Sequence, residues 1–164
     1  MAELAREQAA LRRRLVLRDD FDPGALRIVA GGDVTFLEAR RARTRGLACL
    51  TLHAYPSLEL LDAVVVEGEV SFPYVPGFLA YRELPLLLQA YERLRGRADV
   101  YLLDAQGIAH PRGLGLAAHF GVVTGEVAVG CAKAHLYGTF REPSAEPGAT
   151  APLTAPDGTV VADS

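Results

Sequence analysis

The chain has 164 residues, half of them apolar, and a formal net charge of −3. That length predicts one domain, residues 1–164, with a core of its own. No apolar run is long enough for a membrane span, and the mild negative charge gives no global attraction to nucleic acid. The opening Met-Ala-Glu-Leu-Ala-Arg-Glu-Gln lacks the apolar core of a signal peptide, so a cytoplasmic protein is expected. Cys49 and Cys131 sit in apolar runs without a CxxC or histidine partner, which predicts buried thiols in a reducing compartment.

In chain order, Leu4, Leu11 and Leu15 amid Ala, Arg, Glu and Gln predict an amphipathic helix over 2–18, ended by Asp19 to Gly24 with Pro23. Residues 26–36, around Gly31-Gly32, read as a strand carrying Asp33. Residues 46–55 and 58–70, joined at Pro56-Ser57, complete an antiparallel three-strand meander. Apolar residues at Leu84, Leu87, Leu88, Tyr91 and Leu94 predict a helix over 83–95, with Pro85 tolerated in its first turn. A strand over 100–103, a short helix over 113–120 and a strand over 127–132 follow. The proline-rich segment 142–156 reads as an extended loop, and a strand begins at Gly158 that looks cut off at the terminus. The whole is an α/β domain, a mixed sheet with flanking helices. The arginines at 12–14 and Arg40, Arg41, Arg43 and Arg45 read as a solvated helix face and a solvated turn.

Chemistry concentrates at two places. Pro73-Tyr74-Val75-Pro76-Gly77-Phe78 forms a stiff loop with an exposed aromatic, because a core strand would not carry prolines on both flanks of Tyr74. It leads into Glu83. The second place is Asp104, at the end of the fourth strand. If the first and fourth strands are neighbours, Asp33 and Asp104 face each other, and such carboxylates repel unless a cation or protons neutralise them. Oxygen donors without cysteine or paired histidine favour Mg²⁺ or Mn²⁺. Each acid taken alone is an ordinary cap or surface charge. Lys133 is expected at the same sheet edge as Asp104. The spacing of His110, His119 and His135 marks no metal motif. His110-Pro111-Arg112 reads either as a phosphate contact or as a helix cap, and Gly113-Leu114-Gly115 matches no nucleotide-binding pattern.

Ala30-Gly31-Gly32-Asp33-Val34, Tyr55-Pro56-Ser57-Leu58, the run from Pro73 to Glu83, the run from Asp104 to Arg112, Leu114 to His119, Gly130-Cys131-Ala132-Lys133 and Leu136-Tyr137-Gly138 occur in one order. In that order they resemble the endonuclease V family, the deoxyinosine-directed nucleases of nucleic-acid repair. The resemblance implies a ribonuclease-H-like fold and Mg²⁺-dependent hydrolysis of the second phosphodiester bond 3′ to inosine. It makes Asp33, Glu83 and Asp104 the metal-site acids and Lys133 a catalytic or phosphate-facing lysine. Tyr74, flanked by Pro73, Val75 and Pro76, would fill the gap left by a flipped base. The base itself would be held near Ala105, Gly107, Leu116 and Leu136, largely by backbone groups, with His110 a further substrate-binding residue. Deoxyinosine-containing DNA is the implied partner, with inosine-containing RNA as the other candidate, and a monomer is expected.

Two departures stand out. Ala105 replaces a family glycine beside the base pocket, and alanine resists a positive φ. Family members are also expected to continue past Ser164 with further strands and a C-terminal helix bearing a fourth site residue. The 164 residues are expected to lack that helix, which would leave one sheet face uncovered. The alternative functions are a non-catalytic nucleic-acid-binding remnant of the family, and a nuclease of the same broad fold with another lesion or RNA as target.

Overall fold

The computed structural model describes residues 1–18, 22–38 and 43–163. Arg40 and Arg41 of the basic cluster, and Asp19 at the expected helix end, lie outside the described residues. Helix α1 (Ala2–Arg12) stops short of the expected Arg18. Leu15, Val16 and Leu17 are consecutive and cannot share one helical face, and Val16 and Leu17 are exposed.

Strands β1 (Ile28–Phe36), β2 (Thr44–Ala54) and β3 (Leu60–Val70) form the expected meander. Helix α2 (Leu79–Arg93), β4 (Val100–Leu103), α3 (Leu116–Thr124) and β5 (Ala128–Gly130) follow. The five strands lie in the order β3-β2-β1-β4-β5, with β1 antiparallel to β2 and parallel to β4. Gly32 of β1 needs its missing side chain, since a Cβ there would lie 2.6 Å from methyls of both Leu50 and Leu103.

Helix α2 begins four residues before Glu83, which corrects the expected start. Its first residue follows Phe78, which offers no side-chain cap to mark the boundary. Pro85 therefore lies beyond the first turn, where its ring removes the N–H that would have reached the Tyr81 carbonyl. Helix α3 is shifted towards the C-terminus of its expected span because Gly113 takes a positive φ of 63° and Gly115 is the N-cap. The segment 142–156 contains a strand, β6 (Pro152–Thr154), which pairs antiparallel with β7 (Val160–Asp163). The terminal strand thus has its partner. Cys49 is only half-buried and Cys131 is exposed, so the expectation of two buried thiols fails.

The core lies between the sheet and α2 with α3. Leu50, Leu52, Val66, Leu84, Leu87, Tyr101, Leu103 and Phe120 are all buried there. Each such aliphatic or aromatic side chain contributes about 1.5–3 kcal/mol by leaving water. The opposite sheet face is different. Register pairs run Val65–Cys49–Asp33 and Gly31–Leu102–Val129 across it, and Val65, Leu102 and Val129 are 61%, 41% and 45% exposed. Strand alternation puts Asp33 on this open, partly apolar face.

Candidate active site

The site is built where β1 and β4 run side by side. Their register ends at Gly32↔Leu103, and the Asp104 N–H donates to the Gly32 carbonyl at 2.9 Å. Asp33 and Asp104 are therefore adjacent on neighbouring strands, whose backbones run about 5 Å apart. Asp33 is exposed, with Oδ1 accepting from the Val34 N–H at 2.7 Å, and Asp104 is half-buried. The expected adjacency of strands one and four is present.

Glu83 reaches the same end of the sheet from the second turn of α2 and is 8% exposed. Burial first, then the Asp33 charge, pushes its carboxyl up to about 8; Asp104 adds to this, and Arg82 opposes it. The three expected acids thus sense one another. Lys133 completes the group through an ion pair with Asp104 Oδ2. The hydrogen bond to Asp104 and the charges of Asp104 and Asp33 raise its pKa. Among the described residues, no three His, Cys, Asp or Glu side chains are gathered as a finished metal cage.

Pro73, Tyr74 and Pro76 are exposed and Val75 is half-buried, and Tyr74 itself is 63% exposed, so the loop presents its aromatic to solvent as expected. A groove of about 910 Å³ lies on the same molecule, and Gln106, Gly107, Lys133 and Leu136 are among the residues that line it. Gln106 Nε2 donates to the Ala134 carbonyl at 2.7 Å and ties two sides of this groove together. Ala105 and Leu116 are buried behind the groove rather than in its lining. Ala105 has no positive φ; Leu58 is the non-glycine residue that does, at 59°, among the described residues. The turn after Asp104 accepts alanine without backbone strain.

His110 does not cap α3, whose N-cap is Gly115, and its ring nitrogens are engaged within the protein. It is 5% exposed, its Nε2 faces the Gly77 carbonyl at 3.0 Å, and its Nδ1 accepts from the Arg112 N–H at 3.1 Å. Arg112 also donates to the Gly77 carbonyl, and its guanidinium stacks 4.1 Å above the Phe78 ring. His110 and Arg112 hold the loop at Gly77 and Phe78. Burial, then the Arg112 charge, lowers the His110 pKa. His119 is also buried, its ring edge-on to Tyr81 at 5.6 Å, and burial lowers its pKa. His135 is exposed beside Phe140.

Two residues here escaped the sequence reading. Arg82 is 1% exposed, donates to the Phe72 carbonyl and lies 4.4 Å from the Phe36 ring centre. An arginine within a helix carries no sequence signal for burial. Gln8 is fully buried and donates to the Gly77 carbonyl at 3.1 Å. Its spacing from Leu4 and Leu11 places it on the apolar stripe of α1, a signal available in the sequence.

The fold matches that of known proteins. The structure is similar to Endonuclease V from Bacillus subtilis, with a TM-score of 0.91 and 31% identity, covering 99% of this chain and 69% of that one. It is similar to Endonuclease V from Streptomyces avermitilis, with a TM-score of 0.87 and 36% identity over 99% of this chain and 70% of that one. A Ciona intestinalis Endonuclease V in complex with a 24mer DNA containing an inosine followed by a ribo-adenosine matches at a TM-score of 0.74 and 28% identity. That match covers 81% of this chain and 57% of that one. The α/β mixed sheet expected from the sequence is shared with these structures. The family profile for Endonuclease V matches residues 9–163, and the chain belongs to the Endonuclease V family.

Proposed function

We propose that this chain is a Mg²⁺-dependent endonuclease that hydrolyses the second phosphodiester bond 3′ to deoxyinosine in DNA. The observation that carries this reading is the side-by-side placement of Asp33 and Asp104, with Glu83 and Lys133 at the same end of the sheet. The inosine-containing DNA bound to the Ciona relative supports the substrate.

The donor set fits a hard divalent cation. Three carboxylates would supply oxygen ligands, and burial followed by the Asp33 charge raises the Glu83 carboxyl to about 8, a penalty that a bound cation would relieve. Asp33, Asp104 and Glu83 would hold Mg²⁺, or Mn²⁺ in its place. The chemistry such an ion supplies is Lewis acidity at the scissile phosphate.

The chain's own residues do the rest. Tyr74, on a loop stiffened by Pro73 and Pro76, enters the stack where the base has left. Flipping costs a few kcal/mol, and less for a poorly paired base, which favours inosine over normal pairs. The groove beside Gly107 and Leu136 takes the extruded base, and Ala105 and Leu116 support its wall. His110 serves this pocket through the loop it holds. Lys133 turns its ammonium from Asp104 to a phosphate oxygen and offsets charge there. The same site admits inosine in RNA.

A second reading, a nucleic-acid-binding protein that does not cut, draws on the Lys133–Asp104 ion pair, which engages an acid that the metal would need. A labelled duplex with one deoxyinosine, incubated with the chain in Mg²⁺, in Mn²⁺ and in EDTA, separates the two. Nicking of the deoxyinosine duplex in either metal, and none in EDTA or on an undamaged duplex, is the expected outcome. Tight binding without a nick in both metals would establish the second reading instead.

A further inference from the structure

The Gly77 carbonyl is the most heavily hydrogen-bonded backbone atom near the wedge. It accepts from Gln8 Nε2 at 3.1 Å, from His110 Nε2 at 3.0 Å and from the Arg112 guanidinium. The donors reach it from distant points in the chain. They also hold one another: Gln8 Oε1 accepts from Arg112 Nε, and His110 Nδ1 accepts from the Arg112 N–H. That last bond leaves the His110 proton on Nε2, where it faces Gly77.

The position is built for this contact. The Phe78 N–H donates to the Val75 carbonyl at 2.9 Å, which closes a turn with Pro76 and Gly77 at its centre. Gly77 has a φ of 77°, as the third residue of a type II turn requires. A Cβ there would lie 2.8 Å from Arg112 Nη2, so only glycine allows both the turn and the guanidinium. Gln8 is 0% exposed, although an apolar residue would bury more cheaply on that helix face. Its amide uses both ends, one on Gly77 and one on Arg112.

We propose that Gln8 is a positioning residue for the wedge. With Arg112 and His110 it fixes the Gly77 carbonyl, and so sets the angle at which the neighbouring Tyr74 meets nucleic acid. The proposal rests on the wedge reading of Tyr74 given above. An aromatic that must enter a base stack yields instead of entering when its loop is soft. Holding the loop beforehand removes that ordering cost from the binding step. α1 thereby acts on the wedge without touching substrate.

The chain contains no tryptophan, so Tyr74→Trp places a single reporter at the wedge. Time-resolved anisotropy of that indole would be recorded for the full-length Tyr74→Trp variant alone and with Gln8→Glu or Gln8→Met added. Glutamate keeps the acceptor for Arg112 and loses the donor to Gly77; methionine loses both. The fast-motion amplitude of the reporter is expected to be lowest with glutamine in place, higher with glutamate and highest with methionine, by about twofold overall. In the Tyr74 background, Gln8→Met is expected to lower the preference for a deoxyinosine duplex over an undamaged one about tenfold, through the deoxyinosine affinity alone. Unchanged reporter motion in folded Gln8 variants, with only the melting temperature lowered, would overturn the proposal and leave Gln8 a packing residue. If Gln8→Met does not fold, Gln8→Glu gives the same decision. A parent chain with no deoxyinosine preference sinks the substrate reading instead, while the reporter amplitudes still decide the clamp.

Discussion

The Asp104 amide donates to the Gly32 carbonyl at 2.9 Å, extending the parallel β1–β4 ladder by one rung and setting Asp104 beside Asp33. Backbone pairing, rather than any side-chain bond, brings the two carboxylates together. Lys133 offsets part of the charge gathered there through its ion pair with Asp104.

If that pair is the reaction centre, Asp33→Asn and Asp104→Asn are each expected to lower kcat by roughly a hundredfold to a thousandfold. The double variant should be scarcely worse than either single one, because groups acting as a unit are not additive. Asp33 is exposed, so its substitution should change stability by less than about 0.5 kcal/mol. Single-turnover cleavage and urea unfolding of the same preparations check both statements.

Tyr74→Ala is expected to weaken binding to a deoxyinosine duplex by about 1–3 kcal/mol, the worth of one aromatic–base stack. Binding to an undamaged duplex should change little, since the wedge is engaged only when a base leaves. Titrations of both duplexes at one salt concentration test this, and equal losses on both would remove the wedge role.

Glu83 makes stability pH-dependent. Its folded carboxyl is pushed up to about 8, above the ordinary value of 4.5, so the folded chain binds more protons between those values. The stabilisation is complete below pH 4.5 and is lost as pH rises through 8. In EDTA, Glu83→Gln should therefore become progressively more stable than the parent from about pH 5 to about pH 9. Mg²⁺ should stabilise the parent above about pH 7 and Glu83→Gln less. A stability difference that stays flat with pH would count against the raised carboxyl.

Neighbouring valines on β3 test the register. Val66 is 1% exposed and Val65 is 61% exposed. Val66→Ala should cost about 1–3 kcal/mol through lost burial and the cavity left behind. Val65→Ala should cost under about 0.5 kcal/mol. Chemical unfolding of the two variants distinguishes these values.

The central strands and the acid pair were legible in the sequence because β-branched runs, Gly31-Gly32 and the Pro56 turn are local signals. Asp104 ends a short apolar run, and its place beside Asp33 follows once β1 and β4 are neighbours. The start of α2 was not legible: Phe78 is an N-cap without a capping side chain, and Pro85 imitates a first-turn proline. The role of His110-Pro111-Arg112 was hidden for another reason. Its partner is the carbonyl of Gly77, a backbone atom whose orientation no residue type announces. Cys131 follows an apolar run yet is exposed, because β5 ends at Gly130.

Cutting of nucleic acid at inosine by the Asp33–Asp104 pair can be read from a single labelled duplex. Its most direct test maps the nick made by the parent chain and by Asp104→Ala on one deoxyinosine duplex in Mg²⁺, with binding measured in parallel. The expected result is a nick at the second phosphodiester 3′ to the deoxyinosine for the parent. Asp104→Ala should bind the duplex and leave it intact. Binding by the parent without a nick, unchanged by Asp104→Ala, would contradict the account.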